Sequence, residues 1–108
     1  MSAQVRWLSS AQADLAEIVE FVAMDDAVAA AGVLAALEEA AEHLASAPRK
    51  GRIVPELARL GVRQYRELVV SRWRLVYELE ARDVLVHAII DASRDLDAVF
   101  RLRLLRRT

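Results

Sequence analysis

The chain has 108 residues, of which 56% are hydrophobic and 29% charged, proportions typical of a folded domain rather than a disordered chain. It contains no cysteine, which excludes disulfides, thiolate metal sites and cysteine nucleophiles. The net charge of −1 conceals a division, since residues 1–48 carry a net charge of −7 and residues 49–108 a net charge of +6. This asymmetry favours a polyanionic or an acidic protein partner, although separate solvated faces of opposite charge would also produce it.

We expect a single domain over residues 1–108, because this length suits one hydrophobic core. No apolar run approaches the ~20 residues of a membrane-spanning helix, and the N-terminus lacks the pattern of a signal peptide, so we expect a cytoplasmic location. The sequence contains no glycine-rich phosphate loop and no metal-ligand motif, so we expect no cofactor and no metal site.

The first quarter of the chain predicts a short strand followed by a helix. Residues 4–8 alternate as a strand does, and the hydroxyls of Ser9 and Ser10 suit the N-cap of a helix. The apolar residues that follow recur at helical spacing, namely Ala11, Leu15, Ile18 and Val22.

Asp25 and Asp26 interrupt this helix and can cap a second one over residues 27–46. The apolar stripe of the second helix consists of Leu34, Leu37, Ala41 and Leu44. Because the connection between the two helices is short, we expect them to form an antiparallel hairpin.

The second half of the chain changes to the period of β-strands. It begins with a basic loop over residues 49–61, in which residues 56–60 can form a helical turn. Strands are predicted at residues 62–70, 73–79 and 84–91. The last of these is almost wholly apolar, as a central strand buried on both faces would be, and residues 95–107 suit a final helix.

Helices grouped before a meander of strands are typical of the α+β class. The connections between the predicted strands are short enough for antiparallel hairpins. The predicted fold is therefore an N-terminal strand, a two-helix hairpin packed on one face of a small antiparallel sheet, and a C-terminal helical segment.

Few side chains have the pattern of a catalytic site. Neither His43 nor His87 has a second group at the spacing of a metal site, and a lone strand histidine such as His87 is usually a satisfied structural residue. The serines lack the glycine context of a hydrolase nucleophile. We therefore assign no catalytic residue.

The arginines show a clearer functional pattern than the histidines and serines do. Four of them lie on or just after neighbouring predicted strands, namely Arg66, Arg72, Arg74 and Arg94. Because adjacent strands are only about 4.8 Å apart, these side chains could converge on one surface and bind phosphates or carboxylates. In the alternative interpretation they form ion pairs inside the fold, Arg66 or Arg74 with Glu67, Glu78 or Asp91.

Several short segments follow one another along the chain. They are Val5-Arg6-Trp7, Ala13-Asp14-Leu15 with Ile18, Gly51-Arg52-Ile53-Val54-Pro55-Glu56-Leu57, Tyr65-Arg66-Glu67-Leu68, Trp73-Arg74-Leu75-Val76-Tyr77 and Ile89-Ile90-Asp91-Ala92-Ser93-Arg94-Asp95. Each segment alone is a weak motif, but the ordered set spans nearly the whole chain and resembles the ParE toxins of the RelE/ParE superfamily. The fold of that family, a helical hairpin on an antiparallel sheet, agrees with the fold predicted above.

The resemblance implies one of two activities. ParE-type relatives inhibit DNA gyrase, stabilise its cleaved complex with DNA and so stall replication. RelE-type relatives cut mRNA on the ribosome with basic side chains and, often, a tyrosine near the C-terminus. Both kinds are neutralised by a small antitoxin whose C-terminal segment wraps onto the toxin.

The nuclease pattern is only partly present in this sequence. Arg74 and Arg94 match basic positions, but Phe100 stands where the tyrosine is found, and Leu96 where further basic residues are often found. Phenylalanine has no hydroxyl to exchange a proton or to hydrogen-bond a phosphate. The sequence therefore favours a gyrase inhibitor over an mRNA endonuclease, with a non-toxic antitoxin-binding relative as a third alternative.

On the favoured interpretation, the expected partners are DNA gyrase and a ParD-type antitoxin that forms a hetero-oligomer with the toxin, without a membrane or sequence-specific nucleic-acid contact. The candidate gyrase contacts are Arg72, Arg74, Arg94 and Arg101. The candidate antitoxin contacts are Leu15, Ile18, Phe21 and Leu37. Phe21 stands off the main stripe of the first helix, so it either faces a partner or widens the core stripe.

Overall fold

The computed structural model describes residues 3–93 and 96–105. Its elements are β1 (Val5–Trp7), α1 (Ser9–Ala23), α2 (Ala27–His43), β2 (Arg52–Ile53), α3 (Pro55–Ala58), β3 (Tyr65–Val70), β4 (Trp73–Glu80), β5 (Asp83–Asp91), α4 (Leu96–Phe100) and a π-helical turn (Arg101–Leu105). The predicted α+β class and order of elements are confirmed. Within the described ranges, no helix combines the length and apolar character needed to cross a membrane.

The five strands form one sheet in the order β1-β5-β4-β3-β2. The pairs β3–β4 and β4–β5 are antiparallel, as predicted, and β2, which lies in the predicted basic loop, adds an antiparallel pair with β3. Strand β1 pairs with β5 in parallel, so the sheet is mixed. A strand of three residues carries no sequence signal of its direction. In β5, residues 84–90 are all buried, which confirms the prediction of a central strand covered on both faces.

Helix α1 continues along the edge of β5 where β1 ends. The hydroxyl of Ser10 donates to the carbonyl of His87 at 2.8 Å, and the carboxylate of Asp14 accepts from the amide of Ile89 at 2.9 Å. The predicted capping role of the serines is therefore wrong, since Leu8 holds the N-cap position of α1 without a side-chain hydrogen bond. The Ser10 hydroxyl binds the edge of β5 instead.

The junction of the two helices agrees with the prediction. The carboxylate of Asp26 accepts from the amides of Val28 and Ala29 at 2.9 and 3.1 Å, so Asp26 caps α2. Helix α2 ends at His43 rather than at the predicted residue 46, because the chain tightens into turns ahead of Pro48. The buried part of its stripe is Leu37, Ala41 and Leu44.

Each face of the sheet carries its own hydrophobic core. The helical hairpin covers the first core, which includes Leu37, Leu44, Leu75, Tyr77 and Val86. Residues of α3, α4 and the π-helical turn cover the second core, which includes Leu57, Tyr65, Val76, Phe100 and Leu104. The prediction of a strand buried on both faces implied cover on this side, but not which residues provide it, because α3 has only four residues, too few to show a period.

Candidate functional site

Arg74, on β4, lies inside the fold with 4% of its surface exposed. Its Nε donates to Glu67 Oε1 on β3 at 2.6 Å, and its two terminal nitrogens donate to the carboxylate of Glu56 on α3 at 2.9 Å each. A terminal nitrogen also pairs with Glu67. The ring of Phe100 lies 5.3 Å from the guanidinium carbon, so Arg74 connects β3, β4, α3 and α4.

The two carboxylates keep Arg74 charged inside the protein. Burial opposes the charged guanidinium, but the hydrogen bonds to Glu56 and Glu67 outweigh it and raise the pKa of Arg74 above its ordinary value. The hydrogen bond with Arg74, opposed by burial, holds the pKa of Glu56 below its usual range. The partner Glu67 was among those predicted, whereas Glu56 was not.

The other arginines of the sheet do not join Arg74 in one cluster. The Nη1 of Arg66 donates to the carbonyl of Gly51 at 2.8 Å. Arg72 is exposed, lies 4.9 Å from the centroid of the Trp73 ring and donates to Asp91 Oδ2 at 2.6 Å. The predicted convergence of these side chains on one surface is therefore not observed.

Asp91 fixes the chain at the end of β5. Its Oδ1 accepts from the amide and the hydroxyl of Ser93 at 2.9 and 2.8 Å, while its Oδ2 binds Arg72. These hydrogen bonds, that of the Ser93 amide first, lower the pKa of Asp91 to about 2. Of the remaining gyrase-contact candidates, Arg101 is exposed in the π-helical turn, and Arg94 lies outside the described residues.

A groove of about 450 Å³ opens between α1, the end of β5 and the C-terminal helical segment. Phe21 on α1 and Leu102 in the π-helical turn border it and are 67% and 60% exposed. Its other apolar lining residues are Ile18, Trp73, Ile89, Ile90 and Val99. Two ion pairs also line it, Arg72 with Asp91 and Arg103 with Asp14.

The four candidate antitoxin contacts lie in different places. Ile18 and Phe21 line the groove just described, and the exposure of Phe21 excludes the interpretation that it widens the core stripe. Leu15 lines a second groove of about 560 Å³ between α1 and α2. Leu37 is fully buried under the hairpin, so its side chain does not reach the surface.

Within the described residues, Phe100, at the position of the nuclease tyrosine, and the strand histidine His87 are packed as structural side chains. Phe100 is 1% exposed and belongs to the second core. His87 is buried, with its Nε2 2.7 Å from Glu78 Oε1 and its ring edge-on to that of Tyr65, in agreement with the structural role expected of it. Among the residues that the structure describes, no three His, Asp or Glu side chains are grouped as metal ligands.

Comparison with known proteins agrees with this architecture. Residues 5–96 match the family model of the ParE toxin of type II toxin–antitoxin systems, parDE. The structure is similar to a chain of the chromosomal ParDE toxin–antitoxin system from P. aeruginosa, with 16% sequence identity, a TM-score of 0.66, and coverage of 83% of this chain and 96% of that chain. At this identity the likeness concerns the fold. No curated protein sequence matches the chain significantly.

Proposed function

The chain belongs to the ParE toxin family of type II toxin–antitoxin systems, and from this membership we propose that it inhibits DNA gyrase in the cytoplasm and is neutralised by a ParD-type antitoxin. Gyrase inhibition would stall DNA replication. Gyrase inhibition and mRNA cleavage differ in whether the toxin needs a catalytic site of its own.

The burial of Arg74 between two carboxylates is the observation that favours gyrase inhibition over mRNA cleavage. A guanidinium that stabilises a scissile phosphate must offer its donors to that phosphate, whereas all three nitrogens of Arg74 already bind Glu56 or Glu67. Phe100, at the position of the nuclease tyrosine, is buried and has no hydroxyl. A toxin that acts by binding an enzyme needs neither group.

We place the gyrase contact on the exposed arginines Arg72 and Arg101, together with Arg94. Arg72 is oriented by Trp73 and Asp91, and a held guanidinium loses less conformational entropy when it binds a carboxylate or phosphate. In this proposal Arg74 has an indirect role, because it holds α3 and α4 against the sheet.

The test is DNA supercoiling by purified gyrase with increasing amounts of the toxin. We expect supercoiling to stop and linear, cleaved plasmid to accumulate. The double variant Arg72→Gln/Arg101→Gln is expected to require a higher concentration for the same effect. Arg6→Gln is the control, since Arg6 is an exposed cation of β1 that pairs with Asp83 at the start of β5, whereas Arg72 pairs with Asp91 at the end of that strand.

Two outcomes would contradict gyrase inhibition. Unaffected gyrase together with ribosome-dependent mRNA cleavage would identify an endonuclease. Unaffected gyrase and normal growth of cells that express the chain alone would identify a non-toxic, antitoxin-binding relative.

We further propose that the antitoxin occupies the groove lined by Ile18 and Phe21. An exposed aromatic ring beside an apolar groove is typical of a protein-binding surface. The paired charges along the groove, Arg72 with Asp91 and Arg103 with Asp14, leave its apolar lining as the main source of affinity.

Phe21→Ala is expected to weaken antitoxin binding at least tenfold, since truncating a central aromatic contact typically costs about 2 kcal/mol or more. Isothermal titration calorimetry with the cognate antitoxin measures this. Val69→Ala is the control, because Val69 is 60% exposed on β3 and does not line this groove. If Phe21→Ala and the unmodified toxin bind the antitoxin with equal affinity, the proposed groove is wrong and the groove that contains Leu15 becomes the candidate.

A further inference from the structure

We propose that the β2 edge of the sheet binds the phosphate backbone of duplex DNA. We call this surface the basic edge and define it by five side chains, Arg49, Lys50, Arg52, Arg63 and Arg66. The inference goes beyond gyrase inhibition, because contact with DNA requires no gyrase.

The basic edge concentrates positive charge. Residues 49–66 contain six basic residues and a single acid, Glu56. The carboxylate of Glu56 binds Arg74, so it does not offset the cations at the surface. Four members of the basic edge are exposed, namely Arg49, Lys50, Arg52 and Arg63.

Three of these cations are not neutralised by the fold. Arg49, Lys50 and Arg63 form no ion pair within residues 3–93 and 96–105. Three exposed arginines elsewhere do pair, namely Arg6 with Asp83, Arg59 with Asp97 and Arg72 with Asp91. The basic edge therefore keeps an uncompensated positive potential, which attracts polyanions.

The loop that carries Arg49 and Lys50 is fixed to the sheet. Arg66 Nη1 donates to the carbonyls of Arg49 and Gly51 at 3.4 and 2.8 Å. The amide of Gly51 donates to the hydroxyl of Tyr77 at 2.9 Å. A loop held in this way loses little conformational entropy when it binds a ligand.

The dimensions and composition of the basic edge suit duplex DNA. The stretch from Arg63 to Glu67, whose last two residues pair with β2, spans at most about 13 Å at roughly 3.3 Å per residue. One DNA strand presents a phosphate about every 3.4 Å along the axis, so about four phosphates match this length. The five side chains include no aromatic residue, and Tyr65 between them is buried, whereas single-strand binding relies on exposed rings that stack on bases.

The experiment measures fluorescence anisotropy of a short labelled duplex with the purified toxin over a series of salt concentrations. We expect binding that is independent of DNA sequence and a slope of log K against log salt of roughly −3 to −4, from about 0.9 per phosphate contact. In Arg49→Gln/Lys50→Gln the slope is expected to become shallower by about 2. The control Arg6→Gln/Arg82→Gln removes the same charge from β1 and the β4–β5 turn and is expected to leave the slope unchanged.

Three results would overturn the proposal. The first is that the unmodified toxin does not bind DNA at about 50 mM salt. The second is that the salt slope changes equally in both double variants. The third is that Arg49→Gln/Lys50→Gln binds the antitoxin more weakly but binds DNA as the unmodified toxin does. The last result would assign the basic edge to an acidic protein segment. The gyrase proposal fails separately, because DNA binding with unaffected supercoiling would reject gyrase as the target and retain the basic edge.

Discussion

Gly51 fixes the entry of the chain into β2 because nothing larger fits there. A Cβ on this residue would lie 2.6 Å from the carbonyl oxygen of Glu67 and 2.7 Å from the hydroxyl of Tyr77. That hydroxyl also donates to the carbonyl of Pro48 at 2.8 Å, and burial raises the pKa of Tyr77, so the hydroxyl stays protonated as a donor. The close approach of Gly51 thus joins the loop, β3 and β4.

Gly51→Ala is expected to lower the free energy of unfolding by about 1–3 kcal/mol, because backbone and a buried ring must move. Gly32→Ala is the matched control, since no atom lies within 4 Å of the Cβ that would be added on α2. The control is expected to raise stability by up to about 1 kcal/mol, as alanine favours a helix over glycine. Urea denaturation followed by circular dichroism measures both, and equal effects would contradict the packing argument.

We expect substitution of Arg74 to act mainly on the free energy of unfolding and not directly on activity. Arg74→Ala leaves Glu67, which is 1% exposed, with only the exposed Arg52 as its ionic partner, and the loss of a buried partner is expected to cost up to about 3–5 kcal/mol. Arg72→Ala removes an exposed pair and is expected to cost less than about 1 kcal/mol. Urea unfolding of the two variants gives the comparison. Similar losses of unfolding free energy in both variants would show that the ion pairs of Arg74 stabilise the fold no more than a surface ion pair does.

At the scale of the elements, the helical hairpin depends on the cap between its helices. Asp26→Ala is expected to lower the free energy of unfolding by about 1 kcal/mol, because the amides of Val28 and Ala29 lose their acceptor. Asp25→Ala is the control, since Asp25 precedes the N-cap position. Thermal unfolding compares the two variants, and an equal fall in the midpoint would argue against the cap.

The helices and long strands could be predicted because their apolar residues repeat with a clear period. The direction of β1 could not, since three residues pair equally well in either direction. Elements β2 and α3 lie inside the predicted basic loop and have two and four residues. The sequence indicated a helical turn near α3 but not that this turn packs on the second face of the sheet.

The candidate site was predictable only where neighbouring strands determine contacts. Glu67 was foreseen as a partner of Arg74, because strands that adjoin in sequence often pair. The position of Glu56 depends on how α3 packs on the sheet, which no local pattern encodes. Packing between elements also decides which apolar helix residues reach the surface. The sequence therefore did not separate Phe21, which is exposed, from Leu37, which is buried.

The molecule as a whole is expected to lose stability in acid. The pKa of Asp91 is about 2 in the fold, below its ordinary value of 3.8, and the pKa of Glu56 is also lowered from its ordinary value of 4.5. A carboxyl whose pKa is depressed by folding stabilises the folded state above its unfolded pKa, and this contribution disappears as the pH falls through the folded pKa. The stabilisation is therefore complete above about pH 4.5 and is lost toward pH 2.

Urea unfolding at a series of pH values measures this loss. In Asp91→Asn the fall between about pH 4 and pH 2 is expected to be smaller, because that residue no longer titrates. An unchanged pH dependence in the variant would show that the hydrogen bonds of Asp91 do not contribute to acid sensitivity.

The contacts of Ser10 and Asp14 with β5 bear on how the toxin behaves at high concentration. An open strand edge can recruit strands from other molecules and start aggregation. Both outer strands are short, with three residues in β1 and two in β2, and α1 shields part of β5 beyond β1 by binding its backbone. By covering this edge, helix α1 hinders the addition of strands from other molecules to the sheet when the toxin is without a partner.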